Sequence, residues 1–210
     1  TPASGFFSNC EFGGGAATWA DSLTDHYFDA ACRWKDSTDT ILSTGALSDV
    51  TFAGCTTGTG GAAKTFFTKN GGTCARLMFN GCAFDPPGTN GAIYLQSSTG
   101  GVGNSIIGCI FDRAFGSTSP YISQPDADFV GTNIIGNTFG RDASGNYVED
   151  SGGVSIIGVF VDAIIGPNTP ADYAVTLQAG SANTIVITNG TVDIAAGCTG
   201  ITVCGTGAIT

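Results

Sequence analysis

The sequence contains little charge and very little positive charge. Only 11% of its 210 residues are Asp, Glu, Lys or Arg, which is less than half the roughly 25% of an ordinary globular domain. Seven basic residues against 17 acidic ones give a net charge of −10, and no Lys or Arg follows Arg141. A surface that binds nucleic acid by neutralising phosphates is therefore not expected.

Residues that bind metals or act as general bases are also scarce. His26 is the only histidine, and the eight cysteines include no Cys-x-x-Cys pair. Structural zinc sites need four Cys or His ligands at short spacings, and a Ser-His-Asp or Cys-His site would have to use His26. We therefore expect the histidine and the cysteines to hold neither a metal nor a cofactor.

Long apolar runs are missing as well, since none approaches the roughly 18 residues of a membrane span. Glycine is abundant instead, at 33 of 210 residues, and a hydrophobic content of 42% argues against disorder. The first residue is Thr1 rather than Met, which favours a processed product or a piece of a longer polypeptide. We expect a folded chain without a membrane span and of β-rich rather than helical composition.

Internal repeats predict the architecture. Six segments align, and they are FAGCTT at 52–57, FNGCAF at 79–84, IIGCIF at 106–111, IIGNTF at 134–139, IIGVFV at 156–161 and ITNGTV at 187–192. The period is about 27 residues, and five of the six segments have Gly in the third place, where the last has Asn189. Gly and Asn adopt positive φ most readily, so a sharp bend is predicted once in every repeat.

A second feature has nearly the same period. One aromatic residue per repeat recurs at intervals of 27, 27, 26 and 26 residues, in the order Phe67, Tyr94, Tyr121, Tyr147 and Tyr173. No helical periodicity occurs between these residues, and units too small to bury their own apolar face stack into a solenoid. The sequence predicts an all-β protein of six or seven coils that pair in parallel, with a rise of about 4.8 Å per coil.

One segment resembles a known family. Thr132 and Asn133 followed by IIGNTF resemble the N-x-x-I-x-G-N-x-F turn of right-handed parallel β-helices, the pectate-lyase-like group. That group includes polysaccharide lyases and hydrolases, and also bacteriophage tailspikes. The resemblance implies a single right-handed β-helix domain at 47–210. Residues 1–46 fit the repeat poorly and are expected to form an N-terminal cap or a junction segment.

Alternation along the strands predicts which side chains face outward. The residue after each ladder aromatic is mainly aliphatic and should face the core, so the aromatic should share the outer face with polar residues such as Lys69 and Gln96. An outward column of this kind suits sugar rings and equally suits a subunit interface, whereas an inward column is the alternative. The predicted carbohydrate-binding residues are Phe67, Tyr94, Tyr121, Tyr147, Tyr173 and Gln96.

The second place of the repeated segments predicts an oligomer. Ile107, Ile135 and Ile157 occupy this place in three successive segments, and we expect them to stack as an exposed apolar strip. A monomer rarely leaves such a strip in water. Homotrimerisation along the helix axis, as in tailspikes, would cover it.

The fourth place holds Cys55, Cys82 and Cys109. We expect a packing ladder of buried thiols, with a disulfide between one pair of neighbouring coils as the alternative. Cys198 and Cys204 form a further candidate pair.

An acidic cluster and the resemblance together predict a function. Asp126, Asp128 and Glu149 lie near the aromatic residues in sequence and are candidate catalytic acids and bases for a glycoside, or Ca²⁺ ligands. The resemblance favours an extracellular phage virion surface protein of the tailspike or fibre type, which binds bacterial surface polysaccharide and contacts other virion proteins. The alternatives are a polysaccharide hydrolase or lyase, and a purely structural capsid or tail decoration protein.

Overall fold

All regular structure in the described part of the protein is β-strand. A computed structural model describes residues 4–12, 17–19, 22–30, 32–34, 41–57, 65–84, 92–96, 100–112, 120–125, 129–141, 155–171 and 173–210. Within these ranges there is no helix, and so none that is long and apolar enough to cross a membrane.

The described segments contain 26 short strands. In chain order they are β1 (Gly5–Phe7), β2 (Glu11–Phe12), β3 (Ala17–Trp19), β4 (Leu23–Phe28), β5 (Arg33–Trp34), β6 (Ile41–Ser43), β7 (Leu47–Ala53), β8 (Thr56–Thr57), β9 (Phe67–Asn70), β10 (Cys74–Ala75), β11 (Met78–Asn80), β12 (Ala83–Phe84), β13 (Ile93–Gln96), β14 (Gly101–Val102), β15 (Ser105–Ile107), β16 (Ile110–Asp112), β17 (Ile122–Gln124), β18 (Phe129–Val130), β19 (Asn133–Ile135), β20 (Thr138–Arg141), β21 (Ile156–Gly158), β22 (Ile164–Ile165), β23 (Val175–Leu177), β24 (Ile185–Ile187), β25 (Val192–Ile194) and β26 (Thr202–Cys204).

These strands form three sheets in which neighbouring strands run parallel. Sheet A contains β1, β4, β7, β10, β11, β14, β15, β18, β19, β22, β24 and β26; sheet B contains β2, β5, β8, β12, β16 and β20; and sheet C contains β3, β6, β9, β13, β17, β21, β23 and β25. Up to β20 the chain visits A, B and C in turn, and from β21 to β26 the strands alternate between sheets C and A. Each new strand pairs with the corresponding strand of the preceding pass. The predictions of an all-β chain and of parallel pairing are confirmed.

The first four glycine-containing segments lie in register, as predicted. Their leading residues pair in succession along sheet A, in the order Phe52, Phe79, Ile106 and Ile134. The predicted bend is also present, because the glycines in third place have φ between 61° and 67° and are Gly54, Gly81, Gly108 and Gly136.

The alignment of the last two segments is wrong. Ile156 pairs with Ile122 in sheet C, and the place beside Ile134 in sheet A is taken by Ile165. Val186 follows Ile165, one residue before the predicted start of the sixth segment. The local pattern Ile-Ile-Gly occurs at both 156–158 and 164–166, so it cannot by itself identify the strand that continues sheet A.

A second line of bends crosses sheet A. One residue in each of eight successive passes has φ between 50° and 72°, and these are Asp25, Asp49, Arg76, Gly103, Gly131, Asp162, Asn183 and Gly200. The bend separates β10 from β11, β14 from β15 and β18 from β19. Because Asp, Arg, Gly and Asn share the position, no single residue type reveals it in the sequence.

The interior is filled by side chains that stack from one pass to the next. Ring centroids lie 4.8 Å apart between Phe7 and Phe28, 4.8 Å between Phe28 and Phe52, and 5.0 Å between Phe52 and Phe79. From Ile106 onward the same column is aliphatic. Full burial of each such side chain contributes about 1.5–3 kcal/mol, so the core extends along the length of the sheets.

Residues 1–46 take part in the same sheets. Strand β4 pairs with β7 from Leu23 to Phe28, and β5 and β6 pair with β8 and β9. The described strands of this stretch thus continue the pairing of the three sheets, and the division of the chain at residue 46 stays a prediction. Strands β1, β2 and β3 are the edge strands at this end of the three sheets, and the role of the segment as a cap or junction stays a prediction.

Candidate functional site

The predicted aromatic ladder is not a structural column. Phe67 pairs with Ile93, so Tyr94 lies one residue beyond this register and pairs with Thr68. Tyr121 precedes Ile122, which pairs with Ile93. A slip of one residue along a strand moves a side chain to the opposite face, so a spacing of about 27 residues does not keep the aromatics on one side.

Three of the predicted sugar-binding aromatics point into the core. Phe67, Tyr121 and Tyr173 are 0%, 1% and 2% exposed. Their predicted outward orientation is wrong. Phe67 lies on the inward side of its strand, and each of the two tyrosines lies at a corner that precedes a strand of sheet C. Tyr94 is half-buried on the outer side of its strand, and Tyr147 lies outside the described residues.

The outer surface of sheet C, here called face C, carries Tyr94 and Gln96. Its central column consists of residues in register on successive strands, in the order Leu42, Thr68, Tyr94, Ser123, Ile157, Thr176 and Asp193. Beside this column Gln96 pairs with Asn70, and both are exposed. In the described part of face C, Asp193 is the one charged side chain.

The strand β13 explains why Tyr94 and Gln96 lie on face C. Ile93 and Leu95 are 0% and 1% exposed, and alternation then directs Tyr94 and Gln96 outward. Thr68 and Ser123 lie on the neighbouring strands, about 4.8 Å to either side of Tyr94. The resulting surface combines one aromatic ring with hydroxyl and amide groups that both donate and accept hydrogen bonds.

Lys69 lies beneath face C rather than on it. Its side chain is fully buried, and Nζ donates to the carbonyl oxygens of Gly45 at 2.9 Å, Gly72 at 3.5 Å and Gly71. Burial lowers the pKa of Lys69. The expectation that this lysine shares the outer face is therefore wrong, and its charge is held by backbone carbonyls inside the protein.

The predicted isoleucine strip is partly wrong. Ile107 and Ile135 are paired on the outside of sheet A, but Ile157 lies on face C between Ser123 and Thr176. Sheet A supplies other isoleucines in its place. An isoleucine patch is formed on the outside of sheet A by Ile107, Ile135, Ile164, Ile185 and Ile187, of which Ile107, Ile164 and Ile185 are 36–40% exposed.

The cysteines form a longer column than predicted. The thiol ladder runs through five successive turns as Cys10, Cys32, Cys55, Cys82 and Cys109, and the same position continues as Asn137 and Asn168. All eight cysteines are free thiols, and the predicted burial of Cys55, Cys82 and Cys109 is confirmed. The repeated Gly-Cys pattern does not identify Cys10 and Cys32, because no glycine precedes either residue in the sequence.

The pKa values of two buried thiols of the ladder, Cys55 and Cys82, are raised. The adjoining Cys109 thiol, together with burial, raises the pKa of Cys82 to about 12. The thiol of Cys82 donates to the Phe52 carbonyl oxygen at 3.3 Å. A raised pKa suppresses the reactive thiolate of Cys82. Because Cys32, Cys55, Cys82 and Cys109 are buried and their thiols contact backbone carbonyl oxygens, the buried part of the ladder is a packing and hydrogen-bonding element.

The predicted catalytic residues Asp126, Asp128 and Glu149 lie outside the described residues, and their role stays a prediction. Among the residues that are described, no three His, Cys, Asp or Glu side chains gather as metal ligands. The chain matches no family model, no curated protein and no solved structure. What face C and the isoleucine patch can bind is therefore inferred from their own residues.

Proposed function

We propose that this chain is a single right-handed parallel β-helix that binds a polysaccharide through face C, as a virion surface protein of the phage tailspike or fibre type that it resembles. The ordered return of the chain to the same parallel sheets, three up to β20 and two beyond it, supports the helix. The observation that carries the binding function is the placement of Tyr94 between Thr68 and Ser123, with Gln96 and Asn70 exposed beside it.

The chemistry of face C fits a sugar chain. The face of the Tyr94 ring offers apolar area to the C–H side of a sugar, and its hydroxyl remains a polar group at the edge. Thr68, Ser123 and Gln96 supply both donors and acceptors for sugar hydroxyls. Since these side chains lie on neighbouring strands, a glycan that runs across the strands contacts several of them at once.

A binding measurement with matched variants tests this function. We expect the protein to bind at least one member of a panel of immobilised bacterial surface polysaccharides, and Tyr94→Ala to weaken this binding about tenfold or more, or ~1.4 kcal/mol. Gln96→Ala should weaken it less, because it removes only polar contacts. Tyr27→Ala is the control, since Tyr27 is an aromatic residue 38% exposed on sheet A.

Two outcomes would contradict polysaccharide binding at face C. One is that the unaltered protein binds no member of the panel. The other is that Tyr94→Ala and Tyr27→Ala bind as strongly as each other.

The isoleucine patch favours a second candidate function, assembly with further copies as a structural virion protein. The protein should then elute as a trimer in size-exclusion chromatography with light scattering, and Ile135→Lys should shift it to monomer because a charge is buried in the contact. Asn70→Lys adds the same charge to face C and should leave the trimer intact. A monomeric unaltered protein would contradict this candidate.

A further inference from the structure

The exposed end of the thiol ladder places two cysteines side by side. Cys10 and Cys32 precede the paired strands β2 and β5, and the backbone N–H of Arg33 donates to the Cys10 carbonyl oxygen at 2.9 Å. Neighbouring parallel strands lie about 4.8 Å apart, which is within the Cα separation of 4.4–6.8 Å typical of disulfides.

Both thiols are also directed to the same place. The thiol of Cys10 donates to the Ser8 carbonyl oxygen at 3.4 Å, and that of Cys32 donates to the Phe7 carbonyl oxygen at 3.3 Å. Phe7 is the last residue of β1, and Ser8 directly follows it. The two sulfur atoms therefore lie against the same stretch of backbone.

This pair differs from the others in access. Cys32, Cys55, Cys82 and Cys109 are at most 2% exposed, whereas Cys10 is half-buried. A dissolved oxidant can therefore reach Cys10 while the inner thiols stay shielded.

The pair also differs in freedom to move. Strand β2 is an edge strand and pairs only with β5, while β8 and β12 each have a partner on both sides. A disulfide needs its two Cβ atoms within about 4.5 Å of each other, and an edge strand can make this small approach without breaking a second row of hydrogen bonds. Phe12, whose ring centroid lies 4.6 Å from that of Trp34, keeps the two strands aligned meanwhile.

We propose that Cys10 and Cys32 are an oxidation site that forms a disulfide by exchange with a small-molecule disulfide such as oxidised glutathione. The Cys10 thiolate attacks one sulfur of the reagent, which releases one reagent thiol and leaves a mixed disulfide on Cys10. The Cys32 thiolate then attacks the Cys10 sulfur and releases the second reagent thiol. Two protein thiols are oxidised and one reagent disulfide is reduced to two thiols.

The bond would secure the end of the sheets. It joins the first pass of the chain to the second and so holds the edge strands β1 and β2 against β4 and β5. Exposed parallel edges fray and recruit other strands, and extracellular surroundings favour persistent disulfides. Partial burial and the Cys32 thiol raise the pKa of Cys10, so the exchange should be faster at alkaline pH.

Peptide mapping without reduction tests this site. The protein is incubated with oxidised glutathione at about pH 8.5, near the ordinary thiol pKa, alkylated and digested. We expect a Cys10–Cys32 cross-linked peptide. Cys32→Ser should leave Cys10 as a glutathione adduct, and Cys82→Ser, which alters a buried member of the ladder, should leave the cross-link unchanged.

The exposed Cys204 serves as an internal standard for the reaction. If Cys204 gains glutathione while Cys10 and Cys32 remain free thiols, or if Cys10 ends as an adduct in the unaltered protein, the proposed disulfide is wrong. The test is independent of polysaccharide binding at face C, since it reads only the covalent state of the two cysteines.

Discussion

At the scale of single residues, Tyr173 shows how a buried polar atom links two passes of the chain. Its hydroxyl donates to the carbonyl oxygens of Ile187 at 2.6 Å and Ile165 at 3.2 Å. Gly166 makes room for this contact, because a Cβ there would lie 2.4 Å from the Tyr173 hydroxyl and the residue has a φ of +104°. One phenol thus joins β22 to β24.

The Tyr173 phenol makes the free energy of unfolding depend on pH in the alkaline range. Burial raises the pKa of Tyr173 from its ordinary value of 10.0 to about 12. Because the pKa is higher in the folded chain, the stabilisation is complete below about pH 10 and is lost as the pH rises through about 12. Tyr173→Phe should lower the free energy of unfolding by about 1 kcal/mol at neutral pH. Between pH 10 and pH 12, the free energy of unfolding of this variant should fall less than that of the unaltered protein.

Urea unfolding at neutral pH and at several alkaline pH values measures this effect. If the free energy of unfolding of Tyr173→Phe falls with pH as steeply as that of the unaltered protein, Tyr173 is not the group responsible. The neutral-pH measurement separates the loss of the hydrogen bond from the titration.

At the scale of structural elements, the turn after sheet A changes its chemistry along the protein. Asn137 accepts a hydrogen bond from the Cys109 backbone N–H at 2.9 Å through Oδ1 and donates to the Ile106 carbonyl oxygen at 2.9 Å through Nδ2. Asn168 repeats this pattern one pass later with the backbone N–H of Asn137 and the carbonyl oxygen of Ile134. An amide satisfies both backbone groups, whereas a thiol is only a weak donor and acceptor.

Replacement of Asn137 tests the asparagine part of this turn. Asn137→Ala leaves the buried Cys109 backbone N–H without its partner, at a cost of about 1–3 kcal/mol, and removes the amide donor to the Ile106 carbonyl oxygen, at a cost of about 1 kcal/mol. We therefore expect the free energy of unfolding in urea to fall by about 2–4 kcal/mol. Asn137→Cys should cost less, because a thiol can still donate to the Ile106 carbonyl oxygen. Asn133→Ala, on the outer side of β19, is the control and should change stability by less than about 0.5 kcal/mol. Equal losses for Asn137→Ala and Asn133→Ala would contradict this role.

Across the molecule, the sequence predicts the repeat correctly only where successive passes of the chain have nearly equal length. The steps from Phe52 to Phe79, Ile106 and Ile134 are 27, 27 and 28 residues, and here the sequence alignment agrees with the register of sheet A. The next steps, to Ile165, Val186 and Val203, are 31, 21 and 17 residues. The register of the strands is set by the side chains that pack inside, and turns of different length are compatible with the same register. A constant residue spacing therefore does not identify the paired residues in these last passes.

The candidate site was predictable to a similar extent. Alternation places Tyr94 and Gln96 on the outer side because both lie within one strand. It does not apply to Tyr121 or Tyr173, which stand at corners before a strand begins. Burial at such corners depends on how successive passes pack, which no local pattern contains.

The inside or outside placement of the tyrosines is the claim on which face C depends, and hydroxyl-radical footprinting of the folded protein measures it directly. Normalised to the chain unfolded in denaturant, Tyr27 and Tyr94 should be oxidised readily, while Phe67, Tyr121 and Tyr173 should be strongly protected. Oxidation of Tyr121 as fast as that of Tyr94 would place both on one exposed column and would contradict the register described for sheet C.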